Sequence, residues 1–393
     1  VKVVVVASLA FSLTNFRGRL LGAMVDAGHQ VIACAPDRDP KVEAALTTMG
    51  VTFRHMPMKR TGLNPLVDLL TLGWLVRLFA AERPGIVLAY TQKPIVYSGI
   101  AARLVGRVRF FPMVTGLGHA FAEGGSRVLR VIVSALYRLA LARAEAVFVY
   151  NEADAADLDP RGRRSLPLVM VPGSGVDLAR FTHEPVPIDP PTFLMIARLL
   201  RSKGLFEFVE AARLVRRTRP DTRFEILGPL DPNPAGIGPD ELAAWQREGV
   251  VSYLGETRDV RPFLAGASVF VLPTWYREGL PRTILEAMAT GRAVITTDMP
   301  GCRDAVTHCV TGLLVPPRDA VALADAMLAM IEVPETVVQM GHNARHAAEE
   351  RFTVERINTI LLGTMGLGRT APASGLPSAE PVGSVPTIVE GMA

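Results

Sequence analysis

Glu278 and Glu286 stand on either side of a helix start in the segment 274–289, which reads TWYREGLPRTILEAMA. Just upstream, 268–273 reads as a buried parallel strand, and Pro281 suits the first helical position, where its missing N–H costs nothing. Glu278 then falls in the loop facing the helix N-terminus, and Glu286 falls inside the helix. Backbone N–H groups near Gly279, Leu280 and Arg282 can cradle a diphosphate, whose charge the aligned peptide dipoles favour. The carboxylates could accept hydrogen bonds from hydroxyls on a hexose and a ribose, which is a layout for holding a sugar nucleotide. The alternative is a surface ion pair between Arg282 and Glu286, four apart on one helix face and contributing roughly 0.2 to 0.5 kcal/mol, with Glu278 solvated.

A second cluster follows the strand 193–197, where ARLLRSKG opens the helix 205–216. Arg198 and Lys203 are placed to meet a diphosphate, Arg as a planar fork and Lys as a compact charge. Arg201 reads instead as a surface residue. Gly228, after the strand 224–227, is grouped with the donor-binding residues. In the first half, Thr115-Gly116-Leu117-Gly118-His119 follows the strand 110–114. Its glycines permit close backbone approach to a ligand, and His119 could donate to a sugar hydroxyl, handle a proton, or be merely structural. The stretch 8–18 reads as a polar loop without the G-x-G-x-x-G spacing of a dinucleotide fingerprint, which argues against a nicotinamide dehydrogenase. Arg17 and Arg19 are anion contacts or, on the plainer reading, solvated helix-start residues. Asp37-Arg38-Asp39 and Asp157-Leu158-Asp159 have the D-x-D form that holds a divalent ion in some enzymes; both are read as ordinary surface residues.

The elements that must position these groups alternate strand with helix. Apolar strands are predicted at 3–7, 31–35, 51–56, 86–90, 110–114, 147–150 and 168–171. After the proline-rich stretch 185–191 the pattern restarts with 193–197, 224–227, 251–254, 269–272, 293–297 and 312–315. Such alternation implies parallel crossovers with both sheet faces covered. Two doubly wound Rossmann-like α/β domains are expected, 1–183 and 192–352, with ligands at the carboxyl ends of the strands and in the cleft between the units. Helices are predicted at 319–331 and 335–350. A C-terminal helix within 353–365 is expected to cross back, and the Gly-, Pro- and Ser-rich 366–393 to be disordered.

The chain has 393 residues and a formal net charge of +4, and residues 1–183 carry 22 Lys and Arg against 13 Asp and Glu. A basic half attracts phosphate or an acidic membrane surface; nucleic acid is disfavoured because there is no aromatic platform or reader motif. Arg127, Arg130, Ser134 and Arg138 form one polar stripe on an apolar helix, which either lies on an anionic membrane surface or is a Rossmann helix with a narrow exposed face. Charges interrupt every long apolar run, so a spanning helix is not expected. The three cysteines, Cys34, Cys302 and Cys309, fit a reducing cytoplasm, and no zinc pattern is present.

Together these pieces resemble the retaining glycosyltransferases of glycosyltransferase family 4, with the GT-B fold of two facing Rossmann-like domains. The resemblance runs to about Phe352 and rests on 12–18 with Gly28-His29, on 114–118, on 173–177 ahead of Phe181, on 197–204, and on 278–291 with 300–303. More narrowly, it points to bacterial members that build capsule, O-antigen or protein-linked glycans. It implies that Arg198 and Lys203 bind the donor diphosphate, Glu278 the transferred hexose and Glu286 the ribose. It also implies transfer of a hexose or N-acetylhexosamine from a UDP-linked donor to a polyprenyl-diphosphate-linked saccharide, without metal or other cofactor. Thr115, Gly116, Gly118 and Arg17 would line the acceptor side of the cleft, and His119 would contact sugar. The expected setting is cytoplasmic, peripheral to the inner membrane. The chain lacks the Gly-Gly pair common in the family's first loop. A nucleotide-sugar epimerase on the same fold and a non-catalytic sugar-binding module are the rival readings.

Overall fold

The computed structural model describes residues 1–59, 64–117, 127–159, 166–231, 233 and 235–368, with 127–130 as backbone alone. The valine run at the amino terminus forms β1 (Lys2–Val6), central in a seven-stranded sheet. Around it lie β2 (Gln30–Ala35), β3 (Thr52–His55), β4 (Ile86–Tyr90), β5 (Arg109–Val114), β6 (Val147–Val149) and β7 (Leu168–Met170), in the order β3-β2-β1-β4-β5-β6-β7. All pairings are parallel. Successive valines of β1 serve two cores: Val3 and Val5 pack with Leu13, Leu20 and Leu46, whereas Val4 and Val6 pack with Leu75, Phe79 and Ile95. Helices therefore cover both faces, which is why the strand is apolar throughout rather than alternating. One face carries α1 (Ala10–Asn15), α2 (Gly18–Asp26) and α3 (Pro40–Thr48); the other carries α4 (Pro65–Glu82), α5 (Gln92–Val105) and α6 (Arg127–Leu141). A short α7 (Glu152–Leu158) follows β6.

The second sheet has six strands, β8 (Thr192–Ile196), β9 (Arg223–Leu227), β10 (Ser252–Tyr253), β11 (Val269–Leu272), β12 (Ala293–Thr297) and β13 (Gly312–Val315). Their order is β10-β9-β8-β11-β12-β13, again all parallel. Its helices are α8 (Leu205–Arg216), α9 (Pro239–Arg247), α10 (Arg261–Gly266), α11 (Arg282–Thr290), α12 (Cys302–Ala305), α13 (Ala320–Glu332) and α14 (Pro334–Arg351). In each sheet the winding reverses beside the first strand, between β1 and β4 and between β8 and β11. Ligands of open α/β sheets bind at that switch point.

The last helix, α15 (Val354–Met365), packs on α2 of the first lobe. Its start is pinned where Val176 N–H donates to Phe352 and Val354 N–H donates to Val176, at 2.8 and 3.1 Å. Arg292, fully buried, fixes the linker between the lobes: Nη2 donates to the carbonyls of Glu184 and Pro185 and Nε to that of Leu264, each at 2.9 Å. Burial pushes its guanidinium down to about 10.

Three local expectations are corrected. The stretch 8–18 is not all loop, because Ala10–Asn15 forms a helical turn whose Ala10 N–H is held by Asp37 Oδ1 at 2.7 Å. Pro281 is the N-cap of α11, not its first helical residue, with φ −64° and ψ 118° in the extended region. The D-x-D aspartates are more than solvated surface groups. Asp39 caps α3 and pairs with Arg258 of the second lobe at 3.1 Å, and Asp157 meets Arg277 across the cleft at 2.5 Å. Most of the segment 366–393 lies outside the described residues.

Candidate active site

Beyond β8 the chain makes one tight turn, Arg201–Lys203, closed by Gly204 in the left-handed region at φ 84°. A Cβ on Gly204 would meet the Pro273 backbone, 2.6 Å from its carbonyl carbon, so only glycine lets this turn touch the end of β11. The Ser202 carbonyl then accepts from Thr274 Oγ1 at 3.0 Å and from the N–H groups of Trp275 and Tyr276 at 3.1 and 3.2 Å. These bonds lash the two loops of the switch point together. The result is an ion pair between Lys203 Nζ and Glu278 Oε1, each side chain 15% exposed. Tyr276 turns its ring toward the same ammonium, 5.8 Å from the centroid.

One helix turn deeper, Arg282 Nε donates to Glu286 Oε1 at 2.8 Å. Burial pushes the Glu286 carboxyl up, against the pull of Arg282 and Arg180. The Arg282–Glu286 pair does form, but in the interior rather than on a surface. Gly228 has φ 147°, and its missing Cβ lets it lie against the Ala197 carbonyl, which seats the loop after β9 against the start of the Arg198–Lys203 loop. Arg198 is half exposed and pairs with Asp231 at 2.8 Å; Arg201 pairs with Glu241 on the surface, as its plainer reading has it.

The first lobe grips this arrangement through its backbone. Asn151 Nδ2 donates to the Gly279 carbonyl at 2.8 Å and the Glu278 carbonyl at 3.3 Å, while its Oδ1 caps α7. Arg277 reaches back to Asp157 at 2.5 Å and to the buried Asp154 at 3.4 Å. Gly116, at φ 119°, would carry a Cβ only 2.9 Å from the Gly279 nitrogen. Arg17 is buried: Nη2 donates to the Tyr150 hydroxyl, the guanidinium lies 5.4 Å from the Tyr90 ring centroid, and Nε has no hydrogen-bond partner among the described residues. Its reading as a solvated helix-start residue is therefore wrong, whereas Arg19 is exposed and pairs with Asp177. Between the lobes lies a cavity of about 280 Å³ whose lining includes Ser12, Arg17, Thr115, Glu278, Gly279 and Arg282.

Burial pushes the Asp154 carboxyl up to about 6, although Arg277 and Asn151 oppose the shift. A raised folded-state value means that the folded chain binds the proton more tightly, so Asp154 weakens folding as pH rises from about 4 to about 6. Asp154→Asn removes that contribution. At pH 7.5 the variant is expected to be more stable by up to about 3 kcal/mol, with a flatter dependence of melting temperature on pH over that window; an unchanged profile would contradict it.

Two family models match the chain. Residues 14–173 match a glycosyl transferase 4-like domain, and residues 190–333 match glycosyl transferases group 1. The chain belongs to the family 4-type glycosyltransferases of GT-B fold. Among relatives, the N,N'-diacetylbacillosaminyl-diphospho-undecaprenol alpha-1,3-N-acetylgalactosaminyltransferase of Campylobacter jejuni is 25% identical over 86% of this chain and 91% of its own length. The capsular polysaccharide biosynthesis glycosyltransferase CapM of Staphylococcus aureus is 24% identical over 77% of this chain and 81% of its own. In fold, Anabaena HepE, solved in complex with UDP and glucose, superposes with a TM-score of 0.75 at 18% identity, covering 93% of this chain and 99% of that one.

Within this glycosyltransferase the structure brings Lys203, Glu278, Gly279, Leu280, Arg282, Glu286, Thr115, Gly116 and Arg17 to one cleft. Gly118 and His119 lie outside the described residues. Sequence reasoning missed Asn151, Asp154 and Arg277. The position of Asn151, two residues past β6 at a strand's carboxyl end, was the available signal. Among the described residues no group of three or more His, Cys, Asp or Glu could hold a metal ion, and no helix is long and apolar enough to cross a membrane.

Proposed function

We propose that this glycosyltransferase moves a hexose or N-acetylhexosamine, with retention, from a UDP-linked donor to a saccharide carried on a polyprenyl diphosphate. The observation that carries this reading is the Lys203–Glu278 pair, held at the sheet's switch point beside the α11 N-terminus, with Glu278 lining the inter-lobe cavity. The UDP assignment is supported by the HepE complex, and the acceptor class by the name of the Campylobacter relative.

In this mechanism the bond between the anomeric carbon and the β-phosphate oxygen breaks, leaving oxocarbenium character on the sugar and negative charge on the phosphate. Lys203, Arg198 and the N–H groups that open α11 stabilise that charge in place of a metal. For Arg198 this requires exchanging its Asp231 partner for phosphate. Glu278 orients the sugar through its hydroxyls, and Glu286 holds the ribose. The acceptor hydroxyl attacks on the same face, its proton passes to the departing phosphate, and a glycoside and a nucleoside diphosphate result. Residues 1–183 form the acceptor side, 192–352 the donor side, and the protein works at the inner face of the cytoplasmic membrane.

The test incubates purified protein with UDP- and GDP-sugars, with and without a polyprenyl-diphosphate saccharide. Nucleotide release that requires the acceptor is the expected result; sugar interconversion without acceptor, or no reaction, overturns the proposal. Arg17 supplies a sharper check. A cation buried against two tyrosines, with an Nε unsatisfied among the described residues, is costly unless an anion joins it. Arg17→Met is expected to lower transfer by about 100-fold while leaving the melting temperature unchanged or higher. Normal transfer with a lowered melting temperature would make Arg17 purely structural.

A further inference from the structure

The outer side of the first lobe carries large apolar side chains that the fold does not use. On α4, Leu66, Leu69 and Leu70 are 74%, 66% and 65% exposed, while Thr71, Leu75 and Phe79 of the same helix face the sheet. On α6, Val131 and Ile132 are 68% and 51% exposed. The two helices flank α5, which packs against both. Leucines at i, i+3 and i+4 form one face, and with Gly73, Trp74 and Pro57 they border a groove of about 1050 Å³. Contiguous exposed apolar surface of this kind marks an interaction site.

Topology sets where this surface lies. α4 follows β3 and α6 follows β5, so both helices begin at the carboxyl edge of the parallel sheet and run back. The exposed residues sit in their first two turns, at the edge where the cleft opens. Thr71 Oγ1 donates to the Pro57 carbonyl at 2.5 Å, holding the start of α4 to that edge. Among the described residues the excess charge nearby is positive. Arg54 and Arg77 line the groove; Arg54 shares Glu82 with Lys2, at 3.8 and 2.9 Å, and Asp68 is taken up by Lys93 at 2.9 Å. Exposed leucines bordered by Arg77 and by an Arg54 that shares its Glu82 carboxylate with Lys2 match the interface of an anionic bilayer, where apolar groups enter the acyl boundary and basic residues meet headgroups.

We propose that the first two turns of α4 and the second turn of α6, centred on Leu66, Leu69 and Leu70, dock this protein onto an anionic lipid bilayer. The docking holds the cleft rim at the membrane, where a lipid-linked saccharide can enter; this rests on the acceptor class proposed above. The experiment uses full-length protein, vesicles of phosphatidylglycerol and phosphatidylethanolamine, and vesicles of phosphatidylcholine alone. Wild type is expected to sediment with the anionic vesicles. The triple variant Leu66→Ser, Leu69→Ser, Leu70→Ser should lose at least tenfold in bound fraction, and Arg77→Glu should lose the preference for anionic lipid. The triple variant should also transfer poorly to an acceptor embedded in vesicles yet normally to a water-soluble short-chain prenyl-diphosphate saccharide. Equal sedimentation of triple variant and wild type overturns the proposal, as does a wild type that stays in the supernatant unless the vesicles carry acceptor. A dimer dissolved by the triple substitution, with vesicle binding kept, makes the face a self-association surface and also overturns it. Absence of wild-type transfer to the soluble acceptor is a failure of the acceptor assignment, which sedimentation reads separately.

Discussion

Lys203→Ala is expected to lower kcat by about 100-fold or more, and Glu278→Ala by a similar factor, with the circular dichroism of both variants unchanged. Lys203 is held in place before donor arrives. Its loop is tied to residues 274–276 by three hydrogen bonds to the Ser202 carbonyl, one from the Thr274 hydroxyl and two from backbone N–H groups, and its ammonium lies against Glu278. Such a fixed charge needs little reorganisation when the leaving phosphate gains negative charge, which is why its removal affects turnover more than binding. The resting pair also means that the two residues act as a unit. Without Lys203, the Glu278 carboxylate keeps Thr274 Oγ1 at 3.4 Å but loses its counter-charge. The double variant should therefore be little slower than either single one, because effects within a unit are not additive. Multiplication of the two losses would show independent roles, and near-normal rates in either single variant would remove the pair from the mechanism.

How much of this was legible in the sequence depends on the range over which each signal acts. Strands were readable because doubly covered parallel strands are continuous apolar runs, and β4, β11, β12 and β13 fall at the predicted limits. The two loops of the second lobe were readable because Arg198, Lys203, Glu278 and Gly279 each lie within a few residues of a strand end. Arg17 was not, because its burial depends on Tyr90 and Tyr150, which reach it only when β1, β4 and β6 are assembled. Asn151 and Arg277 escaped for the same reason: their partners lie on the other lobe, and no local pattern encodes a bond from position 151 to the carbonyls of 278 and 279. The outer leucines of α4 were visible as letters but not as surface. That helix is apolar almost all round, so its periodicity does not say which side the sheet takes.

The inter-lobe bonds make Gly279→Ala the most informative backbone test. Gly279 is pinched between two walls. A Cβ there would lie 2.5 Å from the Thr115 carbonyl carbon and 3.0 Å from the Gly116 nitrogen, while the Gly279 carbonyl is gripped by Asn151 at 2.8 Å. Both obstacles are backbone of the first lobe, and neither can rotate away. Relief comes only if the lobes separate or the 278–280 loop shifts, and either movement carries Glu278 off the position that Asn151 and Lys203 define. Overpacking of this kind costs about 1 to 3 kcal/mol. If the cost falls on the closed arrangement, kcat/KM should drop by roughly 10- to 100-fold, with little change in melting temperature because each lobe keeps its own core. Gly266→Ala is the control, since nothing among the described residues lies within 4 Å of the added methyl, and it should leave turnover as it is. Equal turnover in the two variants would mean that contact between Thr115 and Gly279 is not part of the working state, and that donor and acceptor meet with the lobes further apart.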